Sequence, residues 1–153
     1  MNTTTTTDVA EIRDLMLVPQ RAMRERDADA LVARFTDDVT EYNLAPPLRQ
    51  PNATTRDPEA VRSWFAGFDG PIGFEVRDLA TTVAGDIAYC HGLNRLSATP
   101  IGSPEAFTLW FRFTAGLRKV DGSWRIAHLH ESTPFHMEIT ADGIFPAAVD
   151  LTP

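Results

Sequence analysis

Apolar and polar residues alternate along the last third of the chain, and this alternation predicts a β-hairpin. Residues 107–135 read FTLWFRFTAGLRKVDGSWRIAHLHESTPF, with an alternating run on either side of Asp121-Gly122. An Asp-Gly pair is favoured in a type I′ turn, because both central residues need a positive φ. If these two residues form the loop, Val120 lies opposite Ser123 and Leu117 lies opposite Ile126. Continued away from the turn, this register gives the pairs Ala115–His128, Arg112–Glu131, Phe113–His130 and Phe111–Ser132.

The predicted register sorts the side chains of the hairpin between two faces, because successive residues of a strand point to opposite sides. One face is apolar near the turn and becomes polar toward its far end, which predicts a pocket there. It carries Phe111, Phe113, Ala115, Leu117, Trp124, Ile126, His128, His130 and Ser132. A one-residue bulge would exchange the faces locally. Arg112 would then enter the cavity, where it could bind an anionic ligand.

The remaining pattern predicts helices first and strands afterwards. Helical spacing of apolar residues indicates a helix from Asp8 to about residue 26, which Pro19 should kink or divide. A second helix follows an N-cap at Asp27, and a third runs from the cap Asp57-Pro58 to about residue 67. Strands are expected at 39–44, 72–83 and 87–96, with loops at 48–57 and 97–106. This order of elements indicates one α+β domain over residues 8–135.

The two ends of the chain lie outside the predicted domain. The threonine tract in residues 1–7 is expected to be disordered. Residues 136–153 have weak periodicity, which leaves open an ordered arm or a disordered tail.

The composition of the chain indicates which binding partners and which cellular location to expect. The chain has 153 residues, enough for one domain with a sizeable core, and its net charge is −7 without a basic stripe. We therefore expect neither a nucleic acid nor a membrane as partner. Cys90 is the single cysteine, which excludes an internal disulfide and a cysteine-based zinc site. No signal peptide and no apolar run of about 20 residues is visible, so the cytoplasm is the expected location.

Three stretches resemble one known group of proteins. FTDDVTEYN, the helix around Trp64-Phe65 and RKVDGSWRIAHLHES are similar to the nuclear-transport-factor-2-like superfamily, especially its SnoaL-like and ketosteroid-isomerase-like members. The similarity covers about Val9 to Phe135. It implies a curved antiparallel sheet wrapped as a cone around three N-terminal helices, with an apolar pocket at the wide end. It also implies a homodimer, which is common in this superfamily.

The same resemblance speaks against the ketosteroid isomerase mechanism. It implies a general-base aspartate at the position of Asn43, whose amide cannot abstract a proton at neutral pH. It implies an oxyanion-hole tyrosine at about Pro19, which has no hydroxyl. The second oxyanion donor would be an aspartate between Phe107 and Val120, where this chain has no acidic residue.

His128 and His130 are the candidate catalytic residues. At i and i+2 they share one strand face, about 6–7 Å apart, and imidazole can serve as general acid or base near neutral pH. Similar cone-fold dehydratases, such as scytalone dehydratase, use paired pocket histidines. The alternative is that both histidines only form the pocket wall. A zinc site would need His91 or Glu131 as third ligand, and we expect no metal and no cofactor.

The predicted ligand is a small apolar molecule, polycyclic or aromatic. Residues expected to line its pocket are Tyr42, Asn43, Trp64, Phe65, His91, Asn94, Phe111, Phe113 and Ser132. Two functions stay open: a cofactor-free isomerase, cyclase or dehydratase, and a non-catalytic ligand-binding or dimerisation module.

The opposite face of the hairpin combines apolar and charged side chains, as protein interfaces do. We expect it to form a homodimer interface through Trp110, Arg112, Leu129 and Glu131. The alternative for Arg112 and Glu131 is a cross-strand ion pair that stabilises the sheet by roughly 0.2–1 kcal/mol.

Overall fold

A computed structural model describes residues 3–153, with side chains from Thr5 onward. Four helices and five strands follow one another in the order α1 (Thr3–Glu25), α2 (Ala28–Val32), β1 (Phe35–Tyr42), α3 (Asn52–Thr55), α4 (Pro58–Phe65), β2 (Phe68–Ala84), β3 (Ile87–Pro100), β4 (Phe107–Val120) and β5 (Ser123–Ser132). The strands form one sheet in the order β1-β5-β4-β3-β2. The predicted α+β cone is confirmed, with the difference that β1 pairs parallel to β5 and makes the sheet mixed.

Helix α1 is longer and less interrupted than predicted. The described part of the helix includes Thr3, so residues 3–7 are helical and not the disordered tract that we expected, while residues 1–2 lie outside the described part. Asp8 anchors this end, since its carboxylate accepts hydrogen bonds from Trp124 Nε1 at 2.9 Å and Lys119 Nζ at 2.6 Å. The helix also continues through Pro19. Ile12 and Ala22, both fully buried on either side of the proline, hold the two halves against the sheet.

The two predicted aspartate caps are confirmed. Asp27 accepts a hydrogen bond from Ala30 N at the start of α2, and Asp57 accepts one from Glu59 N at the start of α4, where Pro58 occupies the first turn. Between them, the expected loop contains the short helix α3. Three helices were predicted in this half of the chain, and the single-turn α3 is the fourth.

The strands extend beyond their predicted ends because their neighbours continue to pair with them. Phe35 already pairs with Ile126, so β1 begins there and not at residue 39. Gly70-Pro71 lies inside β2 at a register shift between Asp69 and Gly73 and does not end the strand. On β3, Ala98 still pairs with Phe107.

A bulge in β5 changes the register of the hairpin. The turn is as predicted, with φ of 50° at Asp121 and 81° at Gly122, and Leu117 lies opposite Ile126. The next pair is Gly116–His128, so Ala127 is an extra residue in β5. All four pairs predicted beyond it are therefore wrong. The observed pairs are Ala115–Leu129, Thr114–His130, Phe113–Glu131 and Arg112–Ser132.

The core lies between the helices and one face of the sheet. One cluster packs Ile12 and Met16 of α1 against Phe113, Trp124 and the neighbouring strand residues. Cys90 is fully buried in this cluster, and burial raises the pKa of its thiol to about 12, as expected of a structural cysteine. A second cluster joins Leu31, Phe65 and Ile72 where α2, α4 and β2 meet.

The segment after β5 folds back on itself. Phe135 and Ala147 form an isolated bridge, His136 Nε2 lies 2.9 Å from Asp150 Oδ1, and Ala148 is buried. In the described part of the chain, no helix is both long enough and apolar enough to span a membrane.

Candidate functional site

A cavity of about 460 Å³ opens between the sheet and the helical layer. Leu31 of α2 and Trp64 of α4 form its helical side, and Phe107, Leu109 and Phe111 of β4 line the sheet side together with Phe68 at the start of β2. Alternation along β4 explains this wall, because the odd-numbered residues all point toward the helices. A volume and an apolar lining of this kind are typical of small-molecule sites.

Two glutamates reach the cavity from neighbouring strands. Glu41 lies on β1 beside Leu129, and Glu131 follows two residues later on β5. Glu41 Oε2 accepts a hydrogen bond of 2.8 Å from the Thr55 hydroxyl, which fixes this carboxyl group. Burial raises the pKa of Glu131 to about 7, and the nearby charge of Glu41 acts in the same direction, whereas Arg34 opposes both. The site thus contains one carboxyl group that is partly protonated near neutral pH.

Arg34 lies in the same cavity wall, between α2 and β1. The residue is 9 % exposed, and burial lowers the pKa of its guanidinium to about 10 against the opposing charges of Glu131 and Glu41. Its backbone is held because Arg34 O accepts a hydrogen bond of 2.8 Å from Ile126 N. With that pKa the side chain keeps its positive charge at neutral pH.

Some of the residues predicted to line the pocket do so. Asn43, Trp64 and Phe111 border the cavity. The Asn43 side chain also has a local role, since its Oδ1 accepts a hydrogen bond of 2.9 Å from Ala45 N. These three placements agree with the sequence analysis.

Three other predicted lining residues are buried away from the cavity wall. Phe65 and Phe113 belong to the two core clusters. Asn94 is 6 % exposed, and its Oδ1 has no hydrogen-bond partner among the described residues. Phe65 and Phe113 therefore contribute to the packing of the core and do not line the cavity.

The predicted inward placement of His128 and His130 is wrong. Ala127 bulges out of the pairing, so both imidazoles point to the outer face of the sheet and neither lines the cavity. Tyr42 lies there with them, its ring centre 5.5 Å from that of His128 and 5.8 Å from that of His130. Tyr42 is therefore not a cavity residue either.

His91 and Ser132 are on the outer face as well. His91 pairs with Thr114 on β3 and is exposed. Ser132 accepts a hydrogen bond of 3.2 Å from Arg112 Nε. Among the residues that the structure describes, no three His, Cys, Asp or Glu side chains are grouped as metal ligands would be.

The bulge at Ala127 places the residues of the predicted dimer face on two different faces of the sheet. Trp110 lies on the outer face, with the Arg77 guanidinium 4.6 Å from its ring centre, and Arg112 is exposed there. Leu129 and Glu131 point inward, so their assignment to the interface and the Arg112–Glu131 ion pair are wrong. Arg112 itself does not enter the cavity, because the extra residue lies in β5 and leaves the faces of β4 unchanged. Homodimer formation stays a prediction.

Sequence reasoning missed the polar part of the site, Arg34 and Glu41, and placed Glu131 on the wrong face. One signal was present in β5: Leu129 is apolar between His128 and His130. An apolar residue flanked by polar ones favours the interior for itself, which would have required a bulge after Ile126.

Comparisons with known proteins agree with this architecture. The SnoaL-like domain matches residues 12–136. The chain belongs to the SnoaL-like domain family. A crystal structure of an NTF2-like protein of unknown function from Pseudomonas putida KT2440 is 30 % identical, with 97 % of this chain and 98 % of that chain covered and a TM-score of 0.78.

Two more distant structures share the fold of this SnoaL-like protein. A proposed scytalone dehydratase from Novosphingobium aromaticivorans DSM 12444 is 15 % identical, covers 97 % of this chain and 98 % of its own, and has a TM-score of 0.72. LinA is also 15 % identical, with 96 % and 93 % covered and a TM-score of 0.70. A search of functionally curated proteins finds no match.

Proposed function

We propose that this SnoaL-like protein binds a small apolar ring compound in the cavity and transfers a proton on it through Glu131 and Glu41. The observation that carries the proposal is the placement of two carboxyl groups within one largely apolar cavity. Ionisable groups are costly in such surroundings and are concentrated at functional sites for this reason.

The two carboxyl groups differ in their surroundings, which gives each a role. Glu41 accepts a hydrogen bond from Thr55, an arrangement that suits a carboxylate acting as base. Glu131 has no hydrogen-bond partner among the described residues, and burial raises its pKa to about 7, so it can donate a proton near neutral pH. One group that takes a proton and one that returns it are sufficient for an isomerisation or a dehydration. The histidine pair has no part in this scheme.

The similar structures support the fold on which the proposal builds, and neither the ligand nor the reaction. One neighbour in fold is described as a proposed scytalone dehydratase, but its identity of 15 % is evidence for the fold alone. The proposal for this chain therefore depends on its own cavity residues.

Non-catalytic binding is the second candidate. Asn43, at the position that the resemblance assigns to the base of ketosteroid isomerase, borders the cavity with its amide oxygen already bonded to Ala45 N. An apolar cavity without proton transfer would still bind a ligand.

Hydrogen exchange at carbon separates the two functions without knowledge of the natural substrate. The protein is incubated in D₂O with 1-indanone, and deuterium entry next to the carbonyl is followed by NMR. We expect exchange above the buffer rate, with a fall of at least about 100-fold in Glu41→Gln or Glu131→Gln. Glu75→Gln, which changes a glutamate paired with Arg77 and Arg95 away from the cavity, is the matched control. Indanone binding without exchange would favour the non-catalytic module.

A further inference from the structure

We infer that Arg34 makes the cavity selective for neutral apolar molecules that carry a carbonyl oxygen, which its guanidinium N–H groups bind. The inference rests on the proposed function, because it names the substrate class of the same site. Its evidence is the geometry and the charge around one buried side chain.

The first step is that most N–H groups of the Arg34 guanidinium have no hydrogen-bond acceptor in the described part of the chain. Only Nε donates within the described chain, to Leu31 O at 3.1 Å, and the guanidinium carbon lies 5.4 Å from the Phe35 ring centre. Among the described residues, no carboxylate forms an ion pair with Arg34. A guanidinium has five N–H groups, and those of Arg34 without an acceptor in the described chain can donate to the oxygen of a ligand in the cavity that Arg34 lines.

The second step concerns charge. Arg34 brings one positive charge to the cavity, and Glu41 and Glu131 are the two acids whose charges act on it. When Glu131 is protonated and therefore neutral, the positive charge of Arg34 and the negative charge of Glu41 cancel. A ligand carboxylate would add an uncompensated negative charge to a poorly solvated site, whereas a neutral carbonyl accepts the free N–H groups without changing the balance. A hydrocarbon would leave those donors unbonded.

The third step links this recognition to proton transfer. When Glu41 takes a proton from the carbon next to a carbonyl, the C–H electron pair forms a carbon–carbon double bond and the carbonyl π pair moves to oxygen. The resulting negative charge lies beside the Arg34 guanidinium, which stabilises it more than it stabilises the neutral ketone. Glu131 then donates its proton to the enolate at another position, the oxygen or a conjugated carbon, and the product is an isomer of the ketone. The two glutamates return to their starting states when the proton passes from Glu41 to Glu131 through solvent.

Three probes that share one ring system test the selectivity on the unmodified protein. Indane, 1-indanone and indane-1-carboxylate are titrated by isothermal calorimetry at neutral pH. We expect the ketone to bind at least about tenfold more tightly than the hydrocarbon, as one hydrogen bond to a charged donor allows, and more tightly than the carboxylate. Equal affinities for ketone and hydrocarbon, or tightest binding of the carboxylate, would overturn the inference.

A variant then assigns the selectivity to Arg34. Arg34→Met keeps an unbranched apolar side chain but removes the guanidinium and its donors, and we expect it to bind ketone and hydrocarbon equally. Arg125→Met is the matched control. Arg125 donates a hydrogen bond of 2.8 Å to the backbone oxygen of Ala33, the residue before Arg34, but does not line the cavity. A ketone preference that survives in folded Arg34→Met contradicts the inference. If Arg34→Met does not fold, as judged by circular dichroism, the three affinities of the wild type decide.

The inference and the proposed function can fail separately. If Glu131→Gln loses the hydrogen exchange of 1-indanone while the wild type binds all three probes equally, the proposed proton transfer is supported and the role of Arg34 is contradicted. A ketone preference without hydrogen exchange would keep Arg34 as the recognition residue of a non-catalytic module. Failure of all three probes to bind would overturn both.

Discussion

Glu131 lies opposite Phe113 across β5 and β4, and both side chains point toward the helices. Phe113 is buried in the main core cluster, so the carboxyl group of Glu131 enters the protein beside an aromatic wall. This pairing exists because Ala127 is an extra residue between Ile126 and His128. The bulge therefore decides which chemistry the cavity contains: carboxyl groups inside and imidazoles outside.

The raised pKa of Glu131 should make folding stability depend on pH. The folded state binds this proton more tightly than the unfolded chain does, because the pKa rises from its ordinary value of 4.5 to about 7. The contribution of Glu131 to the free energy of unfolding is thus largest below pH 4.5 and falls as the pH rises toward 7. In Glu131→Gln we expect this fall to disappear, which stabilises the variant relative to wild type by up to about 3 kcal/mol at pH 8.

Urea unfolding at pH 5 and pH 8 measures the effect. Glu75→Gln, on the outer face, serves as control and should keep the wild-type dependence. An identical change between the two pH values in wild type and Glu131→Gln would contradict the buried placement of this carboxyl group.

A second prediction concerns the N-terminal part of α1. Asp8 is 5 % exposed and accepts hydrogen bonds from Trp124 and Lys119, which lower the pKa of its carboxyl group. Asp8→Asn should lower the melting temperature and speed amide exchange in residues 5–12. The exposed Asp14, changed to Asn, provides the control. Since a lowered pKa stabilises the folded state only while the group is ionised, the difference between Asp8→Asn and wild type should shrink as the pH falls below 3.8. Unchanged exchange in the Asn variant would show that Asp8 does not anchor the helix.

The fold could be predicted further than the site, and the reason is physical. Alternation, two aspartate caps and the Asp121-Gly122 turn are each specified by residues close together in the sequence, and each was confirmed. The face of His128 depends on a register that one unpaired residue can change. Ile126-Ala127-His128 contains no glycine and no proline that would mark the bulge.

The polar residues of the site were missed for a related reason. Arg34 and Glu131 are far apart in sequence, and the parallel pairing of β1 with β5 brings them to one cavity. No local pattern predicts that pairing. Charged residues are ordinarily assigned to the surface, and Arg34 is buried.

The oligomeric state is a third prediction. On the outer face Trp110 contacts Arg77 and Arg95, and Arg112 lies close by on β4. We expect two copies to pair through this face, so that sedimentation shows a dimer for wild type and a monomer for Trp110→Asp. Leu129→Ala should leave the association unchanged, because Leu129 is inside the protein. A wild-type monomer at micromolar concentration would refute the pairing.

The last prediction concerns the interaction between Arg34 and Glu131. The charge of Arg34 lowers the pKa of Glu131, although burial and Glu41 raise it to about 7 in total. Arg34→Met removes the opposing positive charge and keeps the cavity apolar, so the pKa of Glu131 should rise above 7. Carbon-13 NMR of the side-chain carboxyl groups follows the titration, and Glu131→Gln identifies its signal. In Arg125→Met, which leaves the cavity charges in place, the titration should stay as in wild type. A pKa of Glu131 that falls or does not move in Arg34→Met would mean that the guanidinium is too distant or too well solvated to act on it, and would weaken the case for Arg34 as the residue that stabilises charge on a bound ligand.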